Sequence, residues 1–222
     1  MPAPASVREL ATLKIFAGVD EGVLEPVASA TFAKRLARGQ LLFTAGEPSE
    51  HLFVIRTGAI KVFLDSDRGD ELVLTILEVG DLLGELSAID GLPRSATAQA
   101  LRPTEVLAIP VARVREVLSA SPAALFAVAV ELAENLRRLS GSTADLVFLD
   151  LPRRLAKLIL SRGNAGRDDV ALTQSELAAM LGVTRPSLNR ALSGLQRRGW
   201  VTVRGAELHI QDPIALQHFT DS

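Results

Sequence analysis

The segment GELSAIDGLPRSATAQA, Gly84 to Ala100, sets a carboxylate and a guanidinium among residues that are mostly small or apolar. Glu85 follows a glycine-led turn, and Arg94 comes nine residues later with the hydroxyl of Ser95 directly behind it. An arginine with an adjacent serine, backed by backbone N–H groups at the start of a short helical turn, has the donors needed to grip a phosphate. A carboxylate cannot hold phosphate but accepts hydrogen bonds from a sugar hydroxyl. Phosphate clamp and ribose acceptor at this spacing describe a pocket for a cyclic nucleotide. The alternative is an Arg–Glu salt bridge on a turn, which is common and contributes little.

A second group of residues could contact a polyanion. In LTQSELAAMLGVTRPSLNRALSGLQRRGWVTVRGAELHI, Thr173 and Glu176 have the spacing of a capping box and open a helix that runs to about Leu181. Gly182 supplies the turn, and Thr184 can cap the next helix. There Leu188, Ala191, Leu192 and Leu195 form an inward stripe, so Arg185, Ser187, Asn189 and Arg190 face outward. Side chains near the N-terminus of such a helix can reach base edges from the DNA major groove. Arginine bonds guanine bidentately, and Asn189 has the groups to pair with adenine. Pro186 is tolerated in the first turn but offers no hydrogen-bonding side chain. WVTV and ELHI around RGA predict a hairpin wing. The same helices could also serve for packing alone.

Three zones position these groups. From about Thr31 to Pro110, short Val/Ile/Leu/Phe runs between glycines predict the strands of a sandwich or jelly roll. Helical spacing ahead of them, from Ser6 to Ala30, predicts helices packed on its end. Ser121-Pro122 then opens a long helix in which Leu125, Ala129, Leu132, Leu136, Leu139, Thr143 and Leu146 recur at intervals of four and three. So narrow a stripe suits a parallel partner helix; the same spacing would also serve a helix lying on its own core. Pro152 is expected to break this helix, and the last zone to turn helical and end in a strand pair. The predicted class is α+β: an N-terminal β jelly-roll effector domain (1–120), a long dimerisation helix with hinge (121–150), and a C-terminal winged helix–turn–helix domain (151–222).

Composition narrows the function. From Leu151 onward ten Lys/Arg face six Asp/Glu, whereas the first 150 residues hold fourteen bases and twenty acids. A mildly basic third on an acidic body points toward nucleic acid. There is no cysteine, which excludes disulfides, thiolate nucleophiles and cysteine-ligated clusters within the chain. No signal peptide or membrane-length apolar run is evident, so a cytoplasmic protein without membrane contact is expected. His51, His209 and His218 are scattered, and no phosphate loop, metal-ligand spacing or nucleophile–base set suggests an enzyme. A cyclic-nucleotide-binding module regulating an enzyme or channel is a rival class, but it would have no use for a winged helix.

From about Leu13 to Asp212 the chain resembles the CRP-FNR family of bacterial transcription regulators. GQLLFTAGEPSEHLFVIRTGAIKVF, GELSAIDGLPRSATA, DLVFLDLPRRLAKLIL and the helix–turn–helix carry the resemblance. The second piece resembles the phosphate-binding cassette of the cyclic-AMP receptor branch. It implies Gly84, Glu85 and Leu86 against the ribose and Arg94 and Ser95 on the cyclic phosphate, with cAMP as effector and neither metal nor haem. It also implies a homodimer on a palindromic double-stranded DNA operator and contact with RNA polymerase through the loop Ser161–Asp169. Arg185 and Arg190 match base-reading positions, and Thr173, Gln174 and Ser187 match positions that touch DNA phosphates. Two residues depart from the pattern. Leu139 stands where the cyclic-AMP receptors carry a base-contacting threonine, leaving its neighbour Ser140, or Thr143, to substitute. Pro186 replaces a base-reading glutamate, so the usual operator need not transfer.

Overall fold

The computed structural model describes residues 5–65, 71–163, 173–204 and 207–221. The chain divides into two compact units, one formed by Met1–Leu64 with Leu74–Leu136 and one by Asp65–Val73 with Arg137–Ser222.

Among the described residues eight strands build two four-stranded sheets, ordered β1-β8-β3-β6 and β2-β7-β4-β5 (β1 Phe32–Leu36, β2 Leu41–Phe43, β3 His51–Thr57, β4 Ile60–Asp65, β5 Glu71–Leu77, β6 Leu82–Leu83, β7 Thr97–Ala100, β8 Thr104–Pro110). β3 and β8 read as nearly continuous apolar runs because both of their faces are covered. Phe53, Ile55, Val106 and Ala108 point between the sheets, where they meet Phe43, Ile60, Val62 and Ala98. Their alternates Leu52, Val54, Leu107 and Ile109 belong to a second core shared with helices. Those helices are α1 (Val7–Ala11), α2 (Glu21–Ala30), a 3-10 turn at Lys14–Phe16, and, after a short α3 (Glu85–Asp90), α4 (Val111–Ala120). Arg56 on β3 pins α1 to the sheet: it donates to both Glu9 carboxylate oxygens at 2.7 Å and to Glu105 at 3.1 Å.

α5 (Pro122–Phe148) has 27 residues, a rod of about 40 Å. Ala124 and Val128 are buried and Leu132 packs half-buried on the helical core, so its start is anchored there, while near its end Asp145 accepts from Lys157 Nζ at 2.6 Å. Beyond it Leu136, Leu139 and Leu146 are 65%, 59% and 62% exposed. Gly141 is accommodated in the helix interior with open space around it. The expected break is present at Leu149–Asp150, just ahead of Pro152. The helix stops at Phe148, and the Asp150 carboxylate accepts the Arg153 N–H at 3.0 Å to start α6 (Leu151–Gly163). Pro152 therefore occupies the first turn of α6, where its missing N–H costs nothing.

The second unit packs α6 with α7 (Gln174–Leu181) and α8 (Arg185–Arg197), followed by the antiparallel pair β9 (Val201–Arg204) and β10 (Glu207–Ile210). Its core holds Leu155, Ala156, Ile159, Leu160, Leu177, Leu181, Leu188, Leu192, Leu195 and Val201. The chain does not end in the strand pair as expected, since α9 (Pro213–Asp221) follows it. The Asp212 carboxylate caps it through the Ala215 N–H at 2.9 Å, Leu216 is fully buried, and Phe219 packs against Trp200 with ring centroids 5.3 Å apart. Residues 164–172, which hold most of the loop Ser161–Asp169, and 205–206 of the RGA segment lie outside the described residues. Among the described residues no single helix is long and apolar enough to cross a membrane.

Candidate effector pocket and nucleic-acid interface

Arg94 is only 5% exposed, unusual for a cation. Its guanidinium lies over the Phe43 ring, 4.2 Å from the centroid, and 5.4 Å from that of Phe53; these two rings stack. Nη2 donates to the His51 carbonyl at 2.5 Å and Nη1 to that of Gly84 at 3.4 Å, while buried Nε has no partner among the described residues. Burial pushes the guanidinium below the ordinary arginine range, and the Glu85 and Glu47 carboxylates oppose this. The backbone around it is pinned too: Arg94 N–H donates to Glu47 O at 2.9 Å, and Gly46 N–H to Arg94 O at 2.8 Å. Gly84 has φ +86°, which favours glycine, and a Cβ there would overlap Arg94 Nη1 and oblige that side chain to shift. Glu85 opens α3 half-buried, with Leu86 45% exposed, and Ser95 is exposed beside Arg94. The first unit thus sets the Gly84 carbonyl and the Glu85 charge beside the Arg94 guanidinium, with Leu86 and Ser95 exposed next to them in sequence.

Sequence reasoning missed the platform under that cation. Phe43 and Phe53 read only as strand residues, and no local signal showed that two strands from different sheets would set their rings under one guanidinium. It also missed Glu131 on α5, a half-buried carboxyl pushed up by burial and then by the charges of Glu85 and Asp81, against the pull of Lys14. The base-reading candidates Leu139, Ser140 and Thr143 sit on the stretch of α5 that clusters with the second unit, all exposed. Thr143 Oγ1 donates to the Leu139 carbonyl at 2.9 Å, so its proton is engaged and its lone pairs are left to accept.

In the second unit the capping box forms: Glu176 N–H donates to Thr173 Oγ1 at 3.2 Å, and Thr173 N–H and Oγ1 donate to Glu176 Oε2 at 2.7 and 2.9 Å. Gly182 caps α7 at φ +64°. Arg154 on α6 donates from Nη1 to the Leu181 carbonyl at 3.1 Å, tying that turn to the preceding helix. Thr184 caps α8 by accepting the Ser187 N–H at 3.4 Å, with Pro186 in the first turn. Leu188, Ala191, Leu192 and Leu195 are buried, which turns Arg185, Asn189 and Arg190 into solvent. Thr173, Gln174 and Ser187 are half-buried around the two helix starts. This face presents cations and amides from two adjacent helix N-termini, the groups that bind phosphate oxygens and base edges.

Comparison with known proteins assigns the same two roles. Residues 33–121 match the cyclic nucleotide-binding domain and residues 153–219 the Crp-like helix-turn-helix domain. A CRP-like cAMP-activated global transcriptional regulator of Mycobacterium tuberculosis is 36% identical over 211 residues, covering 88% of this chain and 93% of the relative. The cAMP-activated global transcriptional regulator CRP of Pasteurella multocida is 28% identical over 172 residues, 74% and 82% of the two chains. Among solved structures, a CRP-family transcriptional regulator from Thermus thermophilus superposes with a TM-score of 0.71 at 25% identity, covering 85% of this chain and 97% of that one. A CooA mutant from Carboxydothermus hydrogenoformans shares the fold at 22% identity, with a TM-score of 0.76 over 99% and 98% of the chains. The chain belongs to the CRP/FNR family of transcriptional regulators, with a cyclic-nucleotide-binding domain ahead of its DNA-binding helix–turn–helix.

Proposed function

We propose that this regulator is a homodimer whose DNA affinity is set by cAMP, and the buried Arg94 with its unpaired Nε carries the reading. A guanidinium held out of water and short of acceptors is stabilised by a small anion. In this reading Arg94 and Ser95 take the cyclic phosphate, while Gly84, Glu85 and Leu86 face the ribose. Adenine rather than another base is supported by relatives that are cAMP-activated and by Thr143, whose free lone pairs suit a donating amine. Leu139 weakens base selection and favours, as the second reading, a regulator that answers to another nucleotide or to none.

The exposed apolar positions of α5 support pairing with a second copy through the heptad stripe. The division proposed is an effector domain over 1–120, a dimerisation helix and hinge over 121–150, and a DNA-binding domain over 151–222. Arg185, Asn189 and Arg190 read bases, and Thr173, Gln174 and Ser187 hold the backbone. Two such helices about 34 Å apart enter successive major grooves of a palindrome. RNA polymerase is the further partner. Coupling of about 1–3 kcal/mol between effector and DNA is typical of such switches, so some DNA binding persists without ligand.

Calorimetry with cAMP and cGMP tests the pocket: cAMP binds the native chain and fails to bind Arg94→Ala, and unchanged binding by the variant refutes the phosphate assignment. Fluorescence anisotropy on operator DNA tests the switch. An affinity that no cyclic nucleotide alters removes the effector claim and leaves the DNA-binding one.

A further inference from the structure

We propose that Arg115 is a positioning residue for the effector pocket: it grips the far end of α3 and ties that helix to α4, so that a nucleotide seated on Glu85 is felt at α5. This rests on the effector reading given above. α3 has six residues, a length of about 9 Å, between two glycines in the left-handed region, Gly84 at φ +86° and Gly91 at φ +76°. At its first end the Gly84 carbonyl accepts from Arg94 Nη1 at 3.4 Å. At its last turn the carbonyls have no partner within the helix. The Leu92 N–H, which a longer helix would bring to the Ala88 carbonyl, goes to Asp90 Oδ1 at 2.9 Å. Ala88 is only 1% exposed, and Arg115 Nε donates to its carbonyl at 2.7 Å. A cation there also opposes the negative end of the helix dipole. A Cβ on Gly91 would stand 3.1 Å from Arg115 Nη2, so the guanidinium lies across the end of α3 rather than meeting it at one atom.

The other side of this contact is firmly packed. Val114 and Val117 of α4 are buried in the same helical core as Ala124 and Val128 of α5. Ser121 alone separates the two helices: its N–H donates to the Val117 carbonyl at 2.8 Å, and its Oγ accepts the Ala124 N–H at 3.2 Å. α4 and the start of α5 are thus one packed piece, and α5 runs on into the stretch that clusters with the second unit. Glu85 and Ala88 lie three apart on a helix of under two turns, so a shift at the ribose end is also a shift at the Arg115 contact. Arg113, on the same helix, pairs with Glu116 inside α4 instead, at 2.7 Å.

The experiment measures, on the full chain, affinity for a duplex selected from random-sequence DNA by the native protein, with and without saturating cAMP. The ratio of the two affinities is the coupling factor; a native ratio of one defeats the effector reading and this proposal together. In a responsive protein, Arg115→Ala and Arg115→Met are expected to cut the ratio about fivefold or more, as loss of a charge-assisted hydrogen bond would. Arg115→Met keeps the aliphatic stem, so it decides the matter if the alanine variant melts early. Arg115→Lys keeps a cation and a donor and should retain part of the ratio, and Arg113→Ala should retain all of it. A merely structural contact behaves differently. It lowers the melting temperature or the calorimetric cAMP affinity, but the ratio at saturation stays native, because equal weakening of nucleotide binding in both states leaves the coupling unchanged. A native ratio in Arg115→Ala and Arg115→Met therefore overturns the proposal, and so does an equal loss in Arg113→Ala.

Discussion

The effector pocket and the recognition helix both present arginines, yet they hold them in opposite ways. Arg94 is buried on aromatic rings, depressed by that burial and incompletely hydrogen-bonded. Arg185 and Arg190 stand in water on a helix whose opposite side is fully packed. A buried cation gives a small ligand a strong, directional contact, because water no longer competes for it, but the empty fold bears the desolvation. An exposed cation costs the fold almost nothing and gains its strength only when DNA excludes solvent. The first arrangement suits a switch that must feel one small anion, and the second suits a reader that samples many sequences.

That contrast can be broken by substitution. Arg94→Met keeps much of the contact with Phe43 and Phe53 while removing the charge. It should weaken cyclic-nucleotide binding by about 100-fold or more, as loss of charge-assisted contacts does. The melting temperature of the empty protein should not fall, because a desolvated cation has gone; a large drop would show that the charge supports the fold. Arg185→Ala should instead cost about 1–3 kcal/mol of discrimination at one base pair with no change in melting temperature. An operator preference that stays intact would refute its role as a reader. Gly84→Ala displaces the Arg94 guanidinium and forces a positive φ, a strain of about 1 kcal/mol before the clash is added. Its signature is a lowered melting temperature together with weakened nucleotide binding, and a normal affinity would show that Arg94 can move aside.

The smallest effect concerns Glu131. Its pKa is raised by burial and by the nearby Glu85 charge, so the folded state binds more protons than the unfolded one above the ordinary carboxylate range. Stability should fall as pH rises from that range through the raised value. Glu131→Gln should consequently melt higher than the native protein at neutral pH, and the gain should vanish at pH below the ordinary carboxylate value. A gain that persists unchanged at low pH would show that charge is not its cause.

Much of this was legible residue by residue. The capping box of Thr173 and Glu176, the Gly182 turn and the buried stripe of α8 are local in sequence, so spacing alone located them. The strands were legible from apolar runs and glycines, and the heptad stripe of α5 from its intervals. α9 was missed although Asp212-Pro213 is a usable start signal, because a short helix with one fully buried residue leaves little periodicity. Pro152 was placed at the start of the last zone but read as the breaker of the long helix, since a proline compatible with a first turn is equally compatible with ending the helix before it. In the pocket, Gly84, Glu85, Arg94 and Ser95 lie close in sequence and were read as a set, but their surroundings were not.

By itself the sequence determined which residues carry charge and hydroxyls, the two helices with their caps, and the class of ligand each region suits. These follow from short-range hydrogen bonding and from periodicity, which need no knowledge of distant partners. Only the tertiary structure decided that Arg94 is buried, that rings from β2 and β3 lie beneath it, and that the His51 and Gly84 carbonyls receive it. All but the Gly84 contact depend on bringing together residues more than forty positions apart, and burial of a charge is a property of the packed sheets rather than of any one segment.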